Sequence, residues 1–80
     1  MRYVICDTDK ARSAGMALAG RMATDDGRVL LNESGVTNCR RLEGSLEERA
    51  AALGGKAVTE SEARDFVRDN GLTVKDVIQY

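Results

Sequence analysis

The chain begins with a compact apolar run, Arg2 to Cys6 (RYVIC), which ends at Asp7-Thr8-Asp9. β-branched and aromatic residues bounded by a turn signal predict a buried strand. Thr8 to Ala14 predicts a turn or a single helical turn, with Gly15 as its stop. Met16 to Met22 carries opposed signals. Ala17, Leu18 and Ala19 favour a helix, whereas Gly15 and Gly20 each cost about 1 kcal/mol relative to alanine. The pattern leaves this segment undecided, with extended structure expected at its end. Arg21-Met-Ala-Thr24 and Arg28-Val-Leu-Leu-Asn32 then flank Asp25-Asp26-Gly27, and Asp-Gly supplies the positive φ of a tight turn. A β-hairpin is predicted there.

Beyond Asn32 the apolar spacing becomes helical. A short helix beginning near Ser34 would place Val36, Cys39 and Leu42 on one face, with Gly44 ending it. Ser45-Leu-Glu-Glu48 is a capping box that opens a helix carrying Leu46, Ala50 and Leu53. Gly54-Gly55 terminates it. Lys56 to Val58 reads as a short strand or an extended bridge. Thr59-Glu-Ser-Glu62 is a second capping box, and its helix buries Ala63, Phe66 and Val67 before Asn70-Gly71 stops it. Thr73 caps a last short helix with Val74, Val77 and Ile78 apolar and Tyr80 at its end. These residues either fold back onto the sheet or pack against a second subunit. The order predicts one α+β domain over residues 1–80. An N-terminal strand plus a β-hairpin form a small, mainly antiparallel sheet, and three to four short helices cover one face of it.

Composition sharpens this picture. The chain is 42% hydrophobic but has only Tyr3, Phe66 and Tyr80 as aromatics, so its core is aliphatic. The net charge is -1, which gives no general attraction to nucleic acid or anionic membrane. Residues 1–22 are mildly basic and residues 43–80 mildly acidic. Nine of the twelve basic residues are Arg, the side chain suited to phosphate and carboxylate forks. Cys6 and Cys39 lack CxxC spacing, and without histidine no Cys/His zinc set exists. Reduced, mostly buried thiols are expected. The first residues carry no secretory pattern and no apolar run is long enough to cross a bilayer, so a cytoplasmic location without membrane attachment is expected.

Several short motifs invite a chemical reading. Asp7-Thr8-Asp9 follows a strand, and its carboxylate spacing resembles the opening motif of haloacid-dehalogenase-type phosphatases. That family wants Thr or Val two residues after the second Asp, where Ala11 stands here. Local capping of the following turn is the simpler role. Gly15-Met-Ala-Leu-Ala-Gly20 echoes a P-loop, but Arg21 and Met22 occupy the places of its Lys and Ser/Thr. Ser13 echoes a nucleophile elbow with no histidine to activate it. Cys39 precedes Arg40 and Arg41, whose charge favours a thiolate.

The expectation is therefore a non-catalytic protein-interaction or self-association module with no cofactor and no metal. Its candidate interaction residues are Arg40, Arg41, Val74, Val77, Ile78 and Tyr80. A second reading is a small nucleic-acid-binding regulator, because residues 46–70 resemble a helix-turn-helix in outline. The second of those helices is acidic, and an acidic helix is repelled by phosphates. A basic face built from Arg2, Arg12, Arg21, Arg28, Arg40 and Arg41 is the other route to nucleic acid. The third reading is an enzyme using Asp7, Asp9 or Cys39.

Overall fold

The computed structural model describes residues 1–16, 18 and 24–72. Seven elements follow one another: β1 (Tyr3–Asp7), α1 (Thr8–Ser13), β2 (Arg28–Asn32), α2 (Glu33–Thr37), α3 (Leu46–Ala52), β3 (Lys56–Val58) and α4 (Glu60–Asp69). The fold is α+β. Its three strands are ordered β2-β1-β3. β1 pairs antiparallel with both neighbours, and Tyr3 stands opposite Asn32 on one side and Val58 on the other. The two outer strands are consequently parallel to each other, and the chain crosses between them through α2 and α3.

Side-chain alternation along β1 divides the interior in two. Val4 and Cys6 join Val29, Leu31, Ala11, Val36, Ala50 and Leu53 on the face covered by α1, α2 and α3. Tyr3 and Ile5 join Leu30 and Val58 on the other face, beneath Ala63, Phe66 and Val67 of α4. Helices thus cover both faces, where the sequence pattern predicted one. The reason is visible in β1 itself. Residues 3 to 6 are all buried, so neither face of the strand tolerates water.

Local signals set most boundaries. Asp7 caps α1, accepting the Lys10 N–H at 2.9 Å. Asn32 caps α2 through the Gly35 N–H at 2.8 Å. Both predicted capping boxes are formed, Ser45 with Glu48 and Thr59 with Glu62. The Asp-Gly turn is formed too: Gly27 has φ +76° and donates to the Thr24 carbonyl at 2.9 Å. Of the predicted first hairpin arm, Arg21 to Thr24, residues 21–23 lie outside the described residues; the Thr24 N–H donates to the Arg28 carbonyl at 2.8 Å, and β2 pairs with β1. Val74, Val77, Ile78 and Tyr80 also lie outside them. The predicted helix through Cys39 and Leu42 stops at Thr37, and both residues follow it in a loop.

Residues 46–70 form helix, strand, helix. β3 intervenes and pairs with β1, and α3 and α4 lie in different halves of the core. This corrects the helix-turn-helix outline. Two helices on opposite faces of a sheet cannot present a joint reading unit to a groove.

Candidate functional site

The chemistry-bearing residues are best sorted by what already holds them. Asp7 is committed to the cap of α1. Thr8 is buried and its hydroxyl has no hydrogen-bond partner among the described residues. Asp9 is solvated and lies 3.9 Å from Arg12. The two carboxylates of the Asp-Thr-Asp motif thus serve separate local tasks. Among the described residues no three acidic or cysteine side chains group as a metal site. Cys6 is sealed in the core, and burial, aided by the adjacent Asp7 charge, pushes its thiol up to about 12. Such a thiol stays protonated and inert at neutral pH.

The arginines divide sharply. Arg2, Arg12, Arg28, Arg64 and Arg68 each meet a carboxylate of this same chain. Arg2 reaches Glu47 at 2.8 Å, and its hydrogen bond holds the Glu47 carboxyl below the ordinary range. Arg28 binds Asp26 at 2.9 Å and lies 5.2 Å from the centre of the Phe66 ring. Three of the six arginines expected in a basic face are therefore not free cations. Arg2, Arg12 and Arg28 are engaged with their own acids, and Arg21 lies outside the described residues.

Arg40, Arg41 and Arg49 are the described arginines without a carboxylate, and they meet at the loop between α2 and α3. Arg49 projects from α3 into that loop. Its guanidinium donates to the carbonyls of Gly44 at 2.9 Å, Cys39 at 3.2 Å and Val36 at 3.3 Å. One planar fork thereby ties down the start, middle and end of the loop. Arg41 donates to the Ser13 carbonyl at 3.0 Å and lies along Gly15, whose φ of +84° turns the chain out of α1. The Cys39 thiol donates to the Ala14 carbonyl at 3.4 Å. Arg40 is exposed and engages no other described residue.

These contacts bring the end of α1 and the loop after α2 to opposite sides of an open cleft of about 410 Å³. Arg40, Arg41 and the exposed Asn38 supply polar walls, and Met16 and Cys39 supply half-buried apolar ones. Among the described residues the lining contains no acidic one. A second hollow, beside α4, is different in kind. Arg28 and Lys56 share it with Glu62, Asp65 and Asp69, so it is acidic on balance.

Of the predicted interaction residues, Arg40 and Arg41 come together at one site. Asn38 also lines that site and Arg49 holds its loop, and the pattern singled out neither; Gly15, marked there only as a helix stop, lines it too. Arg49 sits on a helix face that its spacing marks only as solvent-facing. No described helix is long and apolar enough to cross a membrane. Comparison with protein-family models, curated proteins and solved structures yields no match to the chain.

Proposed function

We propose that this chain is a non-catalytic protein-interaction module that docks a partner at the Arg40–Arg41 cleft. One observation carries the proposal: the cleft is where two guanidinium groups converge with no acid among the described residues to neutralise them. Arg2, Arg12, Arg28, Arg64 and Arg68 pair with acids of this chain, and two of the other candidate groups have structural duties. Asp7 caps, and Cys6 packs with its thiol protonated. The walls of the cleft are tied by hydrogen bonds before any partner arrives, which lowers the entropic cost of binding. A cleft of this size lies within the range of about 300 to 1,000 Å³ typical of ligand pockets.

The test is a selection from a random-peptide display library on the immobilised full chain. A recovered peptide is then titrated into ¹⁵N-labelled protein. Amide shifts centred on Gly15, Asn38, Arg40 and Arg41 are the expected result. Failure to recover any peptide, or shifts confined to the α4 side, would overturn the proposal.

A further inference from the structure

The cleft has a chemical preference that its lining makes explicit. Among the described residues two cations and two amides line it, no carboxylate does, and one side is apolar. From this we infer that the docked segment is an acidic peptide: it presents one Asp or Glu carboxylate to Arg40 and Arg41, beside an apolar side chain against Met16 and Cys39. The inference rests on the docking function proposed above and names the partner's chemistry.

The arrangement favours a carboxylate in three ways. Arg40 is exposed and uncommitted, so its whole fork is available. Arg41 spends Nη1 on the Ser13 carbonyl, which leaves Nε and Nη2 as donors and fixes the plane in which they lie. Guanidinium meets carboxylate through paired, charge-assisted hydrogen bonds, roughly twice as strong as neutral ones. The loop carrying both arginines is held by Arg49 at three carbonyls, so the fork is positioned in advance.

A nucleic-acid strand fits the same surface less well. It needs a row of cations matched to successive phosphates. Beyond this pair, Arg2, Arg12 and Arg28 are already neutralised by Glu47, Asp9 and Asp26, and the chain carries a net charge of -1.

The peptides recovered by the selection provide the probe. The expected sequences share an Asp or Glu next to an apolar residue. Converting that acid to its amide raises Kd at least about tenfold at low salt. The full-length Arg40→Gln variant binds the acid and amide forms equally. Arg40 makes no hydrogen bond or ion pair among the described residues, so this variant is expected to keep its structure, and an unchanged amide spectrum away from the cleft verifies that. Acid and amide peptides that bind wild type equally, while still shifting Gly15 and Asn38, would refute the carboxylate preference and leave the docking site intact. Loss of peptide binding at the cleft altogether removes both. Oligothymidine that displaces the peptide and shifts the same amides more strongly, with affinity falling steeply as salt rises, would make the occupant a nucleic acid and overturn the inference.

Discussion

Arg49 shows how one side chain shapes a surface it does not itself present. Its three carbonyl partners span Val36 to Gly44, and the loop they define carries Cys39, Arg40 and Arg41. A lysine keeps the charge but offers a single nitrogen, which cannot reach three separated acceptors. Arg49→Lys is therefore expected to behave as a loss. Hydrogen bonds from a charged donor contribute about 1.5–3 kcal/mol, so a drop in unfolding free energy of about 2 kcal/mol is expected. Urea unfolding measures the drop, and the Leu42 amide, bonded to the Cys39 carbonyl at 3.3 Å, should lose exchange protection with it. A variant as stable as wild type would show that packing, not the fork, holds the loop. The same scale explains what the chain discloses in advance. Asp7, Ser45 and Thr59 act on amides three residues away, so their roles are legible from local spacing. Arg49 acts on residues five to thirteen positions away, and Arg2 on Glu47, far along the chain. No periodicity encodes such pairings. Gly55 was read as a helix stop, yet its need for glycine comes from β1: an added Cβ would fall on the Ile5 carbonyl oxygen and lie 2.6 Å from the Cys6 Cα.

The helices are short, and their ends matter correspondingly. α3 spans Leu46–Ala52 and α4 spans Glu60–Asp69, so unpaired terminal amides are a large share of each. Glu48 returns a carboxylate to the Ser45 N–H at 3.0 Å, and Glu62 does the same for Thr59 at 3.0 Å. These backbone bonds hold both carboxyls below the ordinary Glu range. A carboxyl whose pKa is depressed by folding stabilises the fold above the unfolded value, about 4.3, and loses that contribution as pH falls through the folded value. The Glu48→Gln/Glu62→Gln double variant retains an acceptor but no charge. Wild type should thus be the more stable at pH 7, and its advantage should shrink as pH falls below the unfolded value and through the lower folded one. Urea midpoints across that range measure the gap. A gap independent of pH would assign the caps to neutral hydrogen bonding alone. Element identity was mostly legible because these boxes announce it. The end of α2 was not: Val36, Cys39 and Leu42 keep helical spacing past the point where the loop carbonyls turn to Arg49.

For the whole molecule, β1 is the shared wall of both cores. Its strand pairs with both neighbours, Val4 and Cys6 pack toward α1 to α3, and Tyr3 and Ile5 pack toward α4. The RYVIC run announced a buried strand, but that helices cover both its faces, and which covers which, depends on chain crossings that spacing does not record. Sharing one strand has a thermodynamic consequence. Neither half of the core survives removal of β1, so the two halves should open together, as small domains generally do. Leu53 is 1% exposed and belongs to the α1–α3 half. Truncating a buried leucine to alanine costs about 2–5 kcal/mol. In Leu53→Ala the free energy of amide exchange should fall equally for β1 residues and for Phe66 and Val67 in α4, although α4 lies across the sheet from the lesion. Native-state hydrogen exchange makes the comparison residue by residue. Protection lost around α3 and retained in α4 would mean that the two faces are separate cooperative units. The cleft would then belong to the α1–α3 unit, because Val36, Cys39 and Met16 all pack with the Leu53 half.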